Sequence, residues 1–578
     1  MKARKVAWTG VGVWLATAVA LLQTPAQPSR QAGVTALLPA GAVLVLQAKD
    51  FASLVGDWNT SPERTKWLAS ANYEAFARSR LFLRFKDAYD EFSAAAGVPP
   101  GMALVSDVAG AESALALYDI GKLEFVYVTR LPSAKAMENA LWRTRGNYEP
   151  RQAAGTPFYV RADPSSKRVV AFGVRDQYLA IGTREDLVAG ALTLIGGQGG
   201  SVETDGWFAQ SVKAAGSAGD LRLVADLQAL GKEPHYRSYW VQGNLAELKQ
   251  YSSALSDLTR TPTEIREARV LLRAEERPAP RNAAGLGDVV RLVPDTAGLY
   301  RAWTTPAADE AAAMIFEKVI ATSGAAAQRD RSAPRLEAAR SIGAALEGSA
   351  DLESRIDEEA RAPRATAYQM GALGQLVGSE PLTAMLHVES TRPAGDGVFV
   401  DRGSVIVLAR STDWPAGGAR DAVRALVDPV WTKAHIGMRW IDTRIGAQAF
   451  SRLDVLDVVA VTERGRLLFL ANDPALLAAV LDATSRPAVA MDGAYAAGFR
   501  HTIERGRFAS VMRFVDHSLR GPLPPGAALD QPESHQPLFF SENLASLSDT
   551  LARVDSASIV VRDQGATVSQ TMTYRLVP

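Results

Sequence analysis

An internal repeat is the feature of this sequence that most restricts its fold. Residues 169–187 match residues 458–476 without a gap, at an offset of 289 residues. In each copy a β-branched run, a polar turn around Asp176 or Gly465, and a second apolar run follow one another, which is the pattern of a β-hairpin. A chain of 578 residues that repeats over this distance is expected to fold as two related units.

A helix is predicted directly after each hairpin. Thr183 in the first copy and Asn472 in the second have side-chain oxygens that can accept hydrogen bonds from the free amides at a helix start. Pro474 suits the first turn of the second helix, because the missing amide hydrogen is not needed there. We therefore expect Thr183 and Asn472 to be the N-caps of equivalent helices.

Further pairs of segments extend the repeat, with small changes of offset. Leu38-Pro39 parallels Val293-Pro294, residues 119–128 parallel residues 401–409, and residues 268–273 parallel residues 557–562. The last strand, predicted over residues 568–576, alternates apolar and polar side chains, so that one of its faces should be buried.

These patterns predict an α+β protein made of two divergent tandem copies. Each copy, residues 36–276 and residues 286–578, is expected to hold a mostly antiparallel sheet with helices packed on one face. The Pro- and Gly-containing stretch around 276–285 is predicted to link the copies. An Ala-rich stretch around 305–380 is interpreted as a helical insertion in the second copy, with Thr305 capping its first helix.

The N-terminus has the pattern of an export signal. Residues 1–30 contain a basic flank followed by an uncharged apolar run from Val6 to Leu22. The basic flank predicts that the rest of the chain lies on the extracytoplasmic, periplasmic side. As a helix the run measures about 26 Å, which is marginal for crossing a bilayer. Cleavage after Ala26 and retention as an inner-membrane anchor are therefore both open.

Composition and motifs argue against most enzyme chemistry. The chain has 63 basic and 63 acidic residues, which gives no overall attraction to nucleic acid, and it has no cysteine, which excludes thiol nucleophiles and Cys-bound metals. No Gly-x-Ser-x-Gly or His-Glu-x-x-His motif is present. His501 and Glu504 share a predicted helical face but lack further ligands. We predict no catalytic, cofactor-binding or metal-binding residue.

The candidate interaction surface is a pair of aromatic stretches at matching places in the two copies, each between a strand and a helix. Aromatic side chains in loops supply binding area at a small cost in side-chain entropy. The alternative is that the rings cover a sheet edge or pin the following helix. The aromatic residues of these stretches are Tyr236, Tyr239, Trp240, Phe539 and Phe540.

Several stretches of the first copy look familiar as a set: residues 36–46, residues 114–121, Gly155-Thr-Pro-Phe-Tyr, Leu179-Ala-Ile-Gly and Trp207-Phe208. Together they resemble a large family of exported bacterial proteins catalogued only as a domain of unknown function. Members of that family open with a Leu-Pro-Ala strand behind an N-terminal signal or anchor. The likeness covers mainly residues 36–276. It implies location and fold, and it implies no catalytic residue.

We therefore predict an exported, non-enzymatic envelope protein that acts through protein interaction or structural contacts. The first alternative is a binding protein for a small apolar or envelope-derived ligand held between sheet and helices. The second alternative is an unrecognised hydrolase. The expected partner is an envelope protein or a small apolar ligand and not nucleic acid, with inner-membrane association through residues 6–22 if the signal is retained.

Overall fold

The computed structural model describes residues 33–234, 248–278, 285–320, 371–394, 399–431, 439–454, 458–504 and 552–577. These residues form helices and strands, and the strands pair in antiparallel fashion throughout, which confirms the predicted α+β class. The predicted export signal lies outside the described residues. Among the residues described, no helix has the length and apolar character needed to cross a bilayer.

The first half contains ten strands and ten α-helices in its described part. The strands are β1 Leu44–Ala48, β2 Ser113–Asp119, β3 Glu124–Arg130, β4 Glu149–Ala153, β5 Thr156–Ala162, β6 Val169–Arg175, β7 Tyr178–Gly182, β8 Leu221–Asp226, β9 Tyr251–Arg260 and β10 Glu264–Arg273. The helices are α1 Phe51–Thr60, α2 Pro62–Leu68, α3 Ala71–Ala77, α4 Arg80–Ala96, α5 Met102–Val108, α6 Ser133–Ala136, α7 Ala140–Arg143, α8 Glu185–Ile195, α9 Gly206–Ala215 and α10 Leu227–Leu230.

The described part of the second half also contains ten strands, but only five α-helices. The strands are β11 Leu299–Thr304, β12 Leu382–Ala394, β13 Phe399–Arg410, β14 Arg439–Ile445, β15 Gln448–Asp454, β16 Val459–Arg464, β17 Leu467–Ala471, β18 Tyr495–Arg500, β19 Val554–Asp563 and β20 Thr567–Leu576. The helices are α11 Leu286–Val290, α12 Ala308–Ile315, α13 Gly371–Gly378, α14 Gly418–Trp431 and α15 Pro474–Asp482.

Both halves have the same strand order. The first half runs β4-β5-β6-β7-β3-β2-β1-β8-β9-β10 across the sheet, and the second runs β14-β15-β16-β17-β13-β12-β11-β18-β19-β20. Strands β10 and β20 then pair with each other, so that one twenty-stranded sheet runs through both halves.

The seam between the halves joins equivalent strands symmetrically. Leu258 lies opposite the first residue of β8 and Val561 opposite the first residue of β18, so β9 and β19 correspond at an offset of 303 residues. Strands β9 and β10 pair in the same register as β19 and β20, which extends this offset to β10 and β20. Ala268 and Thr571 are 303 residues apart and face each other across the seam. A local two-fold axis therefore passes between them.

Helices cover both faces of the sheet, so the prediction of helices on one face is wrong. In β6, Phe172 packs in a cluster with residues of α4 and α5, whereas its neighbour Ala171 packs with α8. In β13, Val407 packs with α11 and α15, and its neighbour Ile406 packs with α12 to α14. Neighbouring residues of a strand point to opposite faces. Because these strands are apolar on both faces, each face needs its own helical layer.

The predicted hairpins are confirmed, and the predicted caps are displaced by one residue. Strands β6 and β7 pair through a turn at Asp176, and β16 and β17 through a turn at Gly465, both with left-handed φ angles. Helix α8 has Arg184 as its N-cap residue, and α15 has Asp473, whose carboxylate accepts hydrogen bonds from two backbone amides. The prediction of Thr183 and Asn472 as N-caps is therefore wrong.

Thr183 and Asn472 have a shared role of a different kind. Oγ1 of Thr183 accepts a hydrogen bond from the amide of Phe125 at 2.9 Å, and Oδ1 of Asn472 accepts one from the amide of Ser404 at 2.7 Å. Each side chain thus ties the end of a hairpin to the neighbouring strand β3 or β13. The same side-chain oxygen could accept a hydrogen bond from an amide at the helix start or from an amide of the strand. In both halves it accepts the bond from the strand.

Two sequence correspondences are wrong by position. Residues 268–273 lie in β10 and residues 557–562 in β19, but the counterpart of β10 in the strand order is β20. The pairings of β3 with β7 and of β13 with β17 make Val126 equivalent to Val405, three residues from the match that the sequence suggested. Short apolar strands resemble one another easily, which explains both errors.

The helical insertion around 305–380 stays a prediction, because residues 321–370 of this stretch lie outside the described residues. The stretch lies between β11 and β12, where the first half has α1 to α5 between β1 and β2. Its first helix begins at Ala308, with Ala307 as the N-cap, because Thr305 has a left-handed φ angle of 44°. The predicted alternation of the last strand is confirmed for Val568, Gln570 and Met572, which are buried.

A buried ion pair crosses strands β8 and β9 in the first half only. Nε and Nη2 of Arg222 each donate to a carboxylate oxygen of Asp257 at 2.8 Å, and these residues are 4% and 6% exposed. The amide of Gly219 also donates to the Asp257 carboxylate. The equivalent positions of β18 and β19 are Ala496 and Val560, which pack in the apolar cluster of the second half.

This pair predicts an asymmetric response to mutation. Asp257→Ala should lower the free energy of unfolding by about 3–5 kcal/mol, because it leaves a buried guanidinium without its carboxylate. Arg222→Ala combined with Asp257→Val, which copies the second half, should recover most of that loss. Chemical denaturation measures both, with Glu74→Ala at an exposed ion pair as the control, at about 0.5 kcal/mol or less. A double variant less stable than Asp257→Ala would contradict the prediction.

Candidate interaction surface

Exposed large hydrophobic side chains are concentrated in one helical segment of the first half. Nine such side chains are exposed in the described part of the chain, and five of them lie between residues 62 and 108. Single exposed apolar side chains are ordinary, but a concentration of them marks a surface used for binding. The five are Leu68, Leu83, Phe85, Tyr89 and Met102.

Four aromatic rings hold helices α2, α3 and α4 together. Trp67 contacts Tyr73 and Phe76 with ring centroids 6.2 and 6.4 Å apart, and Phe82 contacts the same two rings at 6.4 and 5.4 Å. All four rings are half-buried, and none belongs to the hydrophobic clusters against the sheet. They form a separate cluster, and its outer side faces solvent.

Three serines, nine residues apart, set where these helices begin. The side chains of Ser61, Ser70 and Ser79 each accept a hydrogen bond, 3.1 Å long, from the backbone amide three residues later. Each bond satisfies one of the free amides at a helix start. The chain therefore turns at regular intervals and brings rings from α2, α3 and α4 into one cluster.

One side of α4 carries an aromatic stripe that is covered at one end and open at the other. Phe82, Phe85, Tyr89 and Phe92 follow each other at helical spacing. Phe92 is 8% exposed and packs in the core cluster beneath α4. Phe85 and Tyr89 are 41% and 40% exposed, although they lie on the same side of the helix. The stripe thus continues beyond the part that the sheet covers.

The open stripe extends to the start of α5. The hydroxyl of Tyr89 lies 3.6 Å from the position that a Cβ atom on Gly101 would occupy, and the next residue, Met102, is 38% exposed. We name this whole region the helical aromatic surface. Its members are Trp67, Tyr73, Phe76, Phe82, Phe85, Tyr89 and Met102.

Charged side chains fix α4 to the sheet below it. Arg84 donates to the carbonyl oxygen of Gly121 in the turn between β2 and β3 at 2.7 Å. Glu91 accepts a hydrogen bond from Nε of Arg168 at 3.1 Å, next to the start of β6. These bonds anchor the helix on two hairpins. The helical aromatic surface is therefore presented by a fixed element rather than by a loop.

Charge is unevenly distributed along this segment. Residues 64–86 contain six basic residues and one acidic residue, Glu74, in a chain that is neutral overall. Acidic residues return at Asp87, Asp90 and Glu91, in the half of α4 that approaches the sheet. A hydrogen bond to Asp90 raises the pKa of Lys86, which keeps its charge at neutral pH. The basic residues are Arg64, Lys66, Arg78, Arg80, Arg84 and Lys86.

A polar groove of about 710 Å³ lies nearby, between α5 and the helices α6 and α7. Its lining carries both signs of charge, from Asp107 and Glu138 and from Lys135 and Arg143. The side chain of Asn139 in the groove already forms two hydrogen bonds. It accepts one from the amide of Trp142 at the start of α7 and donates one to the carbonyl oxygen of Ala136. The groove lacks the apolar lining that an apolar ligand needs.

The residues predicted as an interaction surface, Tyr236, Tyr239, Trp240, Phe539 and Phe540, lie outside the described residues. Within the described residues, no group of three or more His, Asp or Glu side chains is placed to hold a metal ion. Nδ1 of His501 lies 3.2 Å from the carbonyl oxygen of Val554. Glu504 is buried beside Gly298.

Sequence reasoning missed the helical aromatic surface. The signal was present, since four aromatic residues at helical spacing in 82–92 follow a basic stretch. Periodicity alone does not distinguish a stripe that the core covers from one that it leaves open.

Comparisons with known proteins do not indicate a family or a function for this chain. No protein family model matches the chain, and no curated protein matches it. Among solved structures, crystal form I of TP0453 has a TM-score of 0.24 at 11% identity, covering 43% of this chain and 81% of that chain. Crystal form IV of TP0453 has a TM-score of 0.22 at 10% identity, covering 41% and 79%. Likeness at this level carries no argument about fold or function.

The partial covering of the stripe predicts how its residues affect stability. Phe85→Ser and Tyr89→Ser should each change the free energy of unfolding by about 0.5 kcal/mol or less, because the side chains are exposed and Ser has a similar helix propensity. Phe92→Ala should cost about 3–5 kcal/mol, since it empties a buried site. Thermal and chemical denaturation test this difference. Equal losses at Phe85 and Phe92 would show that the stripe is core along its whole length.

Proposed function

We propose that this chain is an exported, non-catalytic envelope protein that acts by binding through the helical aromatic surface. The observation that carries the proposal is the aromatic stripe of α4, which continues from the buried Phe92 to the exposed Tyr89 and Phe85. Exposing two large rings side by side gains nothing for folding, because burial of apolar area is what stabilises a domain. A binding partner would cover them.

Export is supported by the basic and apolar pattern of residues 1–30 and by the likeness of residues 36–276 to exported proteins of unknown function. The alternative of a small apolar ligand between sheet and helices gains no support from the described groove, whose lining is charged.

We further propose that the two halves are diverged copies of one ten-stranded unit, fused at their last strands. The shared strand order and the symmetric seam support this proposal, together with the ungapped match of residues 169–187 to 458–476. Helix α12 follows β11 as α1 follows β1, and it buries Ala311, Met314 and Ile315 in its own core, whereas residues 321–370, where the counterparts of α2 to α4 would fall, lie outside the described residues.

The seam predicts that the two halves hold together without a covalent link. A protease site introduced between residues 278 and 285 should, after cleavage, yield two fragments that stay associated, because nine residue pairs connect β10 and β20 and Arg273 pairs with Asp563. Native mass spectrometry and gel filtration measure the association. Ala268→Pro removes a backbone N–H donor from β10, a central strand of the sheet, and should weaken the association of the fragments. Cleaved but unsubstituted fragments that separate at micromolar concentration would contradict the seam.

The proposed binding role predicts position-specific contacts in the envelope. A photoreactive phenylalanine analogue in place of Phe85 should form cross-links to envelope components, and Tyr89→Ser should reduce their yield. The same analogue in place of Ile445, which is 37% exposed in the second half, is the matched control. Mass spectrometry of the adducts is the measurement. Equal yields from the two positions would mean that this surface does not bind, and would remove the proposed function.

A further inference from the structure

We infer that the helical aromatic surface docks onto a bilayer that contains anionic lipids. This inference rests on the proposed function, since it names the partner of the same surface. Three observations carry it: the excess of basic residues around the rings, the kind of apolar side chain that is exposed, and the placing of the nearby acidic groups.

The first observation is charge complementarity. Residues 64–86 have a net charge of +5, one charge of which is on Arg84 and is directed at Gly121 of the sheet, whereas the whole chain has equal numbers of basic and acidic residues. Lys66 and Arg78 are exposed and are one and two residues along the chain from Trp67 and Phe76, two members of the aromatic cluster, and Arg78 also pairs with Glu74 at 3.8 Å. Basic residues that flank apolar rings are the pattern of a segment that lies on an anionic bilayer.

The second observation is the chemistry of the exposed rings. Trp and Tyr place an apolar ring in the lipid boundary and a polar atom toward water, and Lys and Arg extend their charges to the headgroups. The exposed rings, Phe85 and Tyr89, are on α4, and the half-buried rings of the cluster come from α2, α3 and α4, so that together they cover an area rather than a narrow groove. A broad basic and aromatic area fits a lipid surface better than it fits an extended peptide.

The third observation is that the carboxylates near the rings form ion pairs with arginine and lysine side chains. Glu63, which precedes the basic stretch, is 8% exposed and pairs with Arg553 at 3.3 Å. Glu91 is bonded to Arg168, and Asp90 is bonded to Lys86. Glu74, Asp90 and Glu91 also pair with Arg78, Lys86 and Arg84, so the excess positive charge of the segment is carried by the other three basic residues, Arg64, Lys66 and Arg80.

The absence of cysteine from the sequence makes a direct test available. In the full chain, Phe85→Cys creates one labelling site for a fluorophore whose emission moves to the blue in an apolar medium. Ile445→Cys gives the matched control in the other half. Each labelled chain is mixed with vesicles of phosphatidylcholine alone, or of phosphatidylcholine with phosphatidylglycerol. Because residues 1–32 are the same in every sample, any membrane tethering they cause is common to all.

We expect a blue shift, and quenching by nitroxide-labelled acyl chains, only for the Phe85 site and only with phosphatidylglycerol present. Lys66→Gln with Arg78→Gln should weaken this binding about tenfold, and added salt should weaken it further. Lys167→Gln with Lys213→Gln, which removes two exposed cations elsewhere, should leave it unchanged. Unchanged melting temperatures would show that these variants are folded.

Three results would overturn the inference: no shift at the Phe85 site, an equal shift with neutral vesicles, or an equal shift at the Ile445 site. The inference and the proposed function can fail separately. Cross-links from Phe85 to envelope proteins, together with no response to anionic vesicles, would leave the proposed function standing with a protein partner. Failure of the cross-linking comparison at Phe85 would remove the proposed function itself.

Discussion

The ladder between β10 and β20 is the interaction on which the rest of this fold depends. An antiparallel sheet that stops exposes a row of unpaired amides and carbonyls, which invites pairing with other chains. Joining the halves at equivalent strands satisfies both inner edges at once. At the far end of the first half, β4 is exposed along most of its length and carries Glu149, Pro150 and Arg151, residues that discourage further pairing.

Because the sheet is apolar on both faces, helices must cover each face to keep its side chains from water. The segments after β1 and β11 enter the same face in the two halves. In the second half α12 covers the strands with its own apolar residues. In the first half, α2 to α4 turn their rings toward one another, and only the C-terminal part of α4 reaches the sheet. The helical aromatic surface is what this division leaves uncovered.

Local patterns predicted this fold better than patterns that depend on distant partners. The hairpins at Asp176 and Gly465 followed from a few adjacent residues. The roles of Thr183 and Asn472 did not, because their side-chain oxygens bond to strands about 60 or more residues earlier in the chain. The second helical layer was missed although the continuous apolar runs of β6 and β17 indicate burial on both faces of the sheet. The exposed part of α4 was missed because its stripe continues a buried one.

The two halves also show that one backbone arrangement tolerates different chemistry at equivalent sites. Arg222 and Asp257 fill buried positions that Ala496 and Val560 fill in the other half. Buried ion pairs and apolar pairs of similar placement are close in stability, so such positions drift without loss of the fold.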